Sequence, residues 1–353
     1  MYHIVLRWRE LVAVSVPRCL RRNDPMARHM IAVFAVMMGV LMTTASLAAE
    51  MGATRVAAWK DDRRAPLVLM FDDSMPSHVK TVLPELKRRK LVGTFYINPG
   101  SGHYKTMKSA WEKDFTAAGM TLANHTFTHK GARDVAHCEE EITQCNDVLK
   151  AIATADGGHP PTLISFGRPG VPQGAWNVTD DELAALLAKH RLIKRPNVLF
   201  AQIHLKDGPA MIARVEKALV TGKPEAVAFH GVGGEWLSID LPHFIALLDF
   251  IDEKRERLWI TDPISIHKYE TERDAAKVEV VEQGLKQIRV QLRSEVDAKT
   301  YDAPLTLITQ TPAEWKAVEV TQGTRTTKVT ASSGEVKYDA WPGMEPIVLK
   351  ASE

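Results

Sequence analysis

The stretch APLVLMFDD at 65–73, followed by VKTVLPELKRRK at 79–90 and GTFYI at 93–97, reads as strand, helix, strand. Leu67 to Phe71 is an unbroken apolar run of strand length. Val79 to Lys90 is amphipathic at helical spacing and carries Pro84, which interrupts it. Gly93 to Ile97 is a second strand. A strand, a helix of about ten residues and a second strand make a unit whose strands lie parallel.

Working outward, the same alternation recurs. Ser109–Ala118 is helix-like, and Met120–Ala123 is a strand that leads into His125. Ser165-Phe166 precedes an Arg-Pro turn, Asp180–Lys189 (DDELAALLAK) is a strong helix, and Val198–Ile203 is a strand. Pro209–Leu219 is a helix, Ala226–Phe229 a strand and Pro242–Glu253 a helix. Five or more such units imply an α/β fold built on a mainly parallel sheet, open or closed into a barrel. After about residue 272 the helix signals fade and Thr and Val become frequent. Leu285–Leu292, Pro304–Thr309, Trp315–Thr321 and Thr326–Thr330 alternate in the period of a strand, which predicts a small all-β, sandwich-like domain over 273–353.

The chain has 353 residues, 45 Lys and Arg against 43 Asp and Glu, and a formal net charge of +2. Hydrophobic residues make up 45% and charged residues 25%, the mix of a soluble globular protein, which excludes disorder and a multi-span membrane protein. The positive surplus lies in the first 48 residues, which hold Arg7, Arg9, Arg18, Arg21, Arg22 and Arg28 against Glu10 and Asp24. The rest is slightly acidic, so no basic face invites nucleic acid.

Met30 to Leu47 is almost wholly apolar, and Ser46-Leu47-Ala48 before Ala49 fits a signal-peptidase site. Residues 1–48 therefore read as a cleaved leader. The protein is expected to be exported, periplasmic or extracellular, with no stable membrane span after cleavage. The rival is a signal anchor, because the run approaches the length that crosses a bilayer. Cys19 would leave with the leader. Cys138 and Cys145 are seven apart in a helical stretch, about 10 Å along the axis. A disulfide tolerates less than about 7 Å between Cα atoms, so both are expected to be free thiols.

The chemistry-bearing residues sit just past strand ends, where α/β folds place their sites. Asp72 and Asp73 follow the first strand. Adjacent carboxylates raise each other's pKa unless a cation or a division of roles separates them, and the alternative is a turn or helix cap. His125 and His129 follow the third strand at i, i+4, a spacing that converges on one face of a helical turn and suits a metal. Asp73 with the two histidines makes a carboxylate–imidazole set with open metal positions. Gly167-Arg168-Pro169-Gly170 offers an Arg to clamp a carboxylate and a backbone N–H for an oxyanion, or is a surface turn. His230, at a strand end in a Gly-rich loop, has the place of an acid or base. Trp236 is either a platform for a sugar face or a core anchor.

In order and spacing these residues resemble the polysaccharide deacetylases, the NodB-homology group of carbohydrate esterases (family 4-like), from about Pro66 to Tyr269. Phe71-Asp72-Asp73 is similar to the family's Thr-Phe-Asp-Asp motif, with Met70 in place of Thr. His125-Thr-Phe-Thr-His129 is similar to its His-Ser/Thr-x-x-His motif. Arg168-Pro169 resembles its Arg-Pro motif, although Gly170 departs from the usual bulky continuation. Phe229-His230 resembles its Leu-x-His motif, with Ala228 where Leu is expected. The Asp-x-x-Asp-Trp motif is missing, and Asp207 is the only local carboxylate. Several members of the group also carry a small extra β domain.

The resemblance implies a distorted (β/α) barrel over residues 49–272. It further implies removal of acetyl groups from N-acetylated sugars of a polysaccharide or oligosaccharide by a metal-dependent hydrolysis. Asp73, His125 and His129 would hold one divalent metal, Zn2+, with Co2+ or Ni2+ as alternatives. Asp72 would be the base, oriented and kept ionised by Arg168. A backbone N–H near Gly170 would face the oxyanion, His230 would protonate the leaving group, and Trp236 would bind substrate. Two alternatives stand on the same fold: an O-acetyl (xylan) esterase and another C–N hydrolase. A non-catalytic exported carbohydrate-binding protein is an alternative of another class.

Overall fold

A computed structural model describes residues 50–155 and 157–352. The leader and Cys19 lie outside the described residues. Among the described residues no helix is long and apolar enough to cross a membrane.

Strand β1 (Thr54–Val56) departs from the expected order: it joins the second sheet rather than the first. The first sheet is organised on β2 (Ala65–Asp72), whose eight residues are all buried. β2 pairs in parallel with β3 (Thr94–Ile97), which pairs with β4 (Thr121–Asn124). β5 (Ile164–Phe166) and β6 (Leu192–Lys194) follow on that side. On the other side stand β8 (Glu225–Phe229) and, at its edge, β7 (Leu199–Phe200). β9 (Leu258–Thr261) pairs with the first half of β2. Every pairing is parallel, and β6 and β7 end the row without meeting. The sheet is thus a half-closed, distorted (β/α) barrel.

A strand buried on both faces reads as a continuous apolar run, because its odd and even side chains enter different cores. Leu67, Leu69 and Phe71 face the surrounding helices, with Val227 and Phe229 beside them. Val68, Met70, Ala226 and Ala228 face the barrel interior, with Tyr96 and Ala123. The period of two then carries Asp72 onto the face of Met70, His125 onto that of Ala123 and His230 onto that of Ala228. The strand ends thereby deliver their polar groups to one inner mouth.

The helices agree closely with the sequence pattern. Asp180–Lys189 begins with a reciprocal cap between Thr179 and Glu182. The chain is helical from Pro76 to Arg89, and the turn before Pro84 widens into a π-helix over His78–Val82, so the proline interrupts the regular α-helix where its N–H is missing. Val135–Thr154 buries Cys138 and Cys145 as free thiols, as their spacing requires. Val198–Ile203 is not one strand: β7 stops at Phe200 and Ala201–Leu205 turns into a helical bend.

The second sheet is antiparallel throughout. It contains β10 (Lys277–Gln283), β11 (Gln287–Arg293), β12 (Leu305–Gln310), β13 (Ala317–Gln322), β14 (Arg325–Ser332), β15 (Glu335–Ala340) and β16 (Ile347–Ser352), in the order β1-β12-β15-β14-β13-β16-β11-β10. Its two ends approach each other, since a Cβ on Gly52 would lie 3.2 Å from that of Gln283. Alternate residues such as Ile288, Val290, Leu292, Val318 and Val320 fill its interior. The expected boundary at 272 falls inside the helix Pro263–Ala275, and one core cluster runs from Val68 and Met70 through Ile266 and Tyr269 of that helix into the second sheet.

Candidate metal and hydrolytic site

The inner mouth is a cavity of about 280 Å³. Asp72, Asp73, His125, His129 and His230 all line it, with Arg168, Gly170 and Trp236 at its wall. The structure therefore gathers these eight residues into one place. Two of the local expectations do not hold.

The first concerns the histidine pair. His125 to His129 is not a helical turn. Thr126 and His129 have φ of 63° and 60°, a left-handed backbone that non-glycine residues adopt only when their surroundings hold it. The holding groups come from the helix Val135–Thr154 and from the end of β4. Glu141 accepts from the Thr128 N–H and hydroxyl, both at 2.7 Å, and Asn124 accepts from the Thr126 N–H at 2.8 Å. The two rings converge by this loop conformation, with centroids 4.8 Å apart.

Asp73 also has a left-handed φ, 74°, and swings its carboxylate away from Asp72 toward the two imidazoles. Its Oδ1 lies 3.3 Å from His125 Nε2 and 3.0 Å from His129 Nε2. The ligand atoms of all three residues lie within 4.8 Å of one another. The donor set fits a cation on two further observations. His125 Nδ1 lies 2.8 Å from the Gly167 carbonyl, so Nδ1 bears the hydrogen and neutral His125 turns the lone pair of Nε2 toward the carboxylate. Asp73 Oδ1 is buried and has no hydrogen-bond partner. Lone pairs converging on a buried carboxylate oxygen repel unless a positive charge stands between them.

The second expectation concerns the arginine. Arg168 does not touch Asp72. It is exposed, and its guanidinium lies 4.9 Å from the Trp176 ring centroid. Asp72 is instead gripped by Arg195, Nη1 to Oδ1 at 2.6 Å and Nη2 to Oδ2 at 2.7 Å, a bidentate pair that fixes both oxygens. Burial opposes the ionisation of Asp72, and Arg195, then His125, reverse the balance, so its pKa lies below the ordinary value. Arg195 follows β6 and rests on the Tyr96 ring at 4.4 Å. Gly167 makes room for it: a Cβ there would meet Tyr96 at 2.9 Å and the Arg195 guanidinium at 3.0 Å. The replacement follows from reach, since the Arg168 side chain turns out to Trp176 while Arg195 enters the interior between Tyr96 and Phe200.

His230 Nε2 lies 3.7 Å from Asp73 Oδ2. Its ring stacks on Phe200 with centroids 4.5 Å apart, and Nδ1 is hydrogen-bonded to the Gln202 side-chain amide. Asp207 plays no part here; it caps the helix Gly208–Thr221 through the Ala210 N–H. Burial lowers the His230 pKa, and the charges of Asp72 and Asp73 offset that only in part. Gly170 is exposed at the rim, with open space where a Cβ would stand. Trp236, 64% exposed, and Ile203, 44% exposed, are apolar walls at the mouth, so Trp236 is no core anchor.

Sequence reasoning missed Arg195, Phe200, Gln202 and Ile203. Arg195-Pro196 carried a signal, being a second Arg-Pro pair directly after a short strand. Gln202 and Ile203 carried none, because Val198–Ile203 reads as an unbroken strand.

Residues 60–188 match the family model described as polysaccharide deacetylase. The span includes Asp72, Asp73, His125, His129 and Arg168 and stops before Arg195, Gln202 and His230. Among solved structures, a family 4 carbohydrate esterase from Streptomyces lividans is 22% identical, with a TM-score of 0.40 over 56% of this chain and 91% of that one. A peptidoglycan deacetylase from Bacillus subtilis is 17% identical, with a TM-score of 0.41 over 60% and 94%. A family 4 pseudoenzyme from Bacillus anthracis is 16% identical, with a TM-score of 0.38 over 54% and 61%. No curated protein matches the chain.

Proposed function

With a polysaccharide deacetylase domain over residues 60–188 as the premise, we propose that this protein is an exported, metal-dependent hydrolase that removes acetyl groups from N-acetylated sugars of a polysaccharide or oligosaccharide. The observation that carries the reading is the division of labour between two adjacent carboxylates. Asp73 faces two imidazole nitrogens, while Asp72 faces an arginine.

Asp73, His125 and His129 would hold one divalent metal, zinc, cobalt or nickel, which when bound polarises a carbonyl and lowers the pKa of water. Asp72 takes the proton of the attacking water at a carboxylate oxygen that Arg195 keeps ionised and oriented. His230 Nε2 faces the same space and gives a proton to the departing amine. Gly170 lines the rim, and a backbone N–H near it would face the developing oxyanion. Trp236 and Ile203 offer apolar surfaces to the flat faces of sugar rings.

One observation favours an O-acetyl ester as a second reading. His230 Nδ1 meets the neutral amide of Gln202, so no negative charge there stabilises the imidazolium that an amine leaving group needs. An alcohol leaves with less help. The test is acetate release from N-acetylglucosamine oligomers and from acetylated xylan, with zinc or cobalt, with and without chelator. Chelator-sensitive acetate from the oligomers supports the deacetylase. Release from xylan alone establishes the esterase. No release from either with metal bound overturns both and leaves a carbohydrate-binding protein.

A further inference from the structure

The loop that carries His230 and Trp236 is held from behind by two consecutive residues that do not line the cavity, Ser77 and His78. His78 is fully buried. Its ring lies among those of Phe71, Phe95 and Trp111, with centroids 5.5, 5.7 and 6.1 Å away. Its Nε2 is 2.7 Å from the backbone carbonyl of His230. A carbonyl only accepts, so Nε2 bears the hydrogen and donates. Nδ1 is buried without a partner, and burial pushes the ring's pKa down to about 4, which keeps it a neutral donor.

Ser77 holds the other end of the loop. Its backbone N–H donates to the Glu235 carboxylate at 2.9 and 3.1 Å, and its hydroxyl donates to Glu235 Oε2 at 2.6 Å. The same hydroxyl accepts from the Val232 N–H at 3.1 Å. Within the loop, Val232 bridges Ile239 and the Gly231 N–H donates to the Trp236 carbonyl at 3.3 Å, while Val232 and Ile239 are buried in the core and the His230 ring rests on Phe200 and Gln202. Beside Trp236, Leu237 has a φ of 47°, a conformation that persists only where its surroundings impose it. Trp236 is largely exposed, and its ring contact is an edge-on one to His230 at 5.4 Å. Glu235, the residue before it in the chain, ties this part of the loop to Ser77.

We propose that Ser77 and His78 are positioning residues that act as a two-pronged latch. His78 places His230 for proton transfer, and Ser77, through Glu235, places Trp236 at the cavity mouth. One prong governs turnover and the other substrate capture. Both prongs start from the segment that follows Asp72 and Asp73, so the base, the metal ligand and the two loop groups share one reference frame. The inference rests on the hydrolase reading for its kinetic half only.

The test uses the full chain and three variants. His78→Phe keeps a ring in the aromatic box and removes the donor. His78→Gln keeps an N–H at similar reach. Glu235→Ala releases the second prong. Misplacing a reacting group by about 1 Å costs up to about a hundredfold, so His78→Phe is expected to lower kcat about tenfold or more, with KM nearly unchanged. His78→Gln should recover most of that loss, and Glu235→Ala should raise KM several-fold with kcat nearly unchanged. Thermal scans establish that each variant is folded. Amide hydrogen exchange over residues 231–239 should quicken in His78→Phe and in Glu235→Ala. Unchanged exchange in both overturns the latch whatever the substrate is. A joint loss of kcat and KM in both variants, or full turnover in His78→Phe, overturns the separation of roles. A wild-type protein that releases no acetate but shows the expected exchange sinks the hydrolase reading and leaves the latch standing.

Discussion

Replacing Arg195 by Met tests which arginine serves the base. Asp72 is 1% exposed, and both of its oxygens are paired with Arg195 at 2.6 and 2.7 Å. Methionine fills much of the arginine's volume and keeps the contact with Tyr96, so the loss is mainly electrostatic. Removing one partner of a buried pair strands the other charge, which costs about 3–5 kcal/mol. The same exchange at Arg168 removes an exposed cation lying on Trp176, worth about 0.5–1 kcal/mol. The two variants should therefore differ in stability several-fold at neutral pH.

The pH dependence has a definite sign. The folded pKa of Asp72 lies below its unfolded value, so the pair contributes stability above the unfolded pKa and loses it as pH falls through the folded one. In Arg195→Met that depression is gone. The variant's deficit should be largest at neutral pH and shrink toward pH ~4, where the unfolded carboxylate begins to take a proton. The acid limb of kcat/KM should move upward, since the base now protonates more easily. Denaturant unfolding at neutral and acidic pH and a pH–rate profile read both effects. The reasoning is refuted if Arg168→Met moves the acid limb and Arg195→Met does not, or if both variants lose the same stability.

Two further predictions rest on single positions. Gly167→Ala places a methyl 2.9 Å from Tyr96 and 3.0 Å from Arg195, so unfolding should show a loss of about 1–3 kcal/mol from overpacking, and activity should fall with it because Arg195 must move. Glu272 is buried with an unpaired Oε2, and burial, reinforced by Asp302, pushes its pKa up to about 7. A raised carboxyl costs nothing while both states are protonated and destabilises as pH rises through the folded value. Glu272→Gln should therefore gain up to about 2 kcal/mol over wild type at pH ~8, after allowance for solvent screening, and little at pH ~4. A constant difference across that range in unfolding midpoints would refute the burial argument.

What was legible in the sequence followed from period and spacing. The run from Leu67 to Phe71 announced a strand, while its burial on both faces, which with the step of two carries Asp72 inward, is a matter of packing. The helix Asp180–Lys189 was readable to the residue because its capping box is local chemistry. The histidine pair was recognised, but its geometry was not, since Glu141, and Asn146 by holding Asn124, impose the loop conformation from the helix Val135–Thr154. Arg195 was hidden for a related reason. Two Arg-Pro pairs follow two neighbouring strands, and which side chain enters the barrel depends on the Tyr96 face and the space left by Gly167, neither of which is a local property. Gln202 lay beyond reach because the strand that seemed to carry it ends two residues earlier.

The same distinction bears on the boundary at 272, which is visible as a change of composition and falls inside the helix Pro263–Ala275. Composition shifts where the helices stop, but cores follow packing. Val68 and Met70, the inward residues just below Asp72, pack in one cluster with Ile266 and Tyr269 of the helix Pro263–Ala275, and that cluster continues into Ile288, Val290 and Leu349 of the second sheet. Tyr269 donates to the Ala57 carbonyl at 3.0 Å, on the segment that runs from β1 into β2. β1 itself, at the beginning of the described chain, completes the second sheet through β12. The chain enters through the second sheet, builds the barrel and returns to the second sheet. The floor beneath Asp72 is therefore built by residues that the composition assigns to different domains. An ion pair between Asp72 and Arg195 that must hold both carboxylate oxygens at fixed positions gains from such a floor, because a packed interior yields little to the displacement of a single charge.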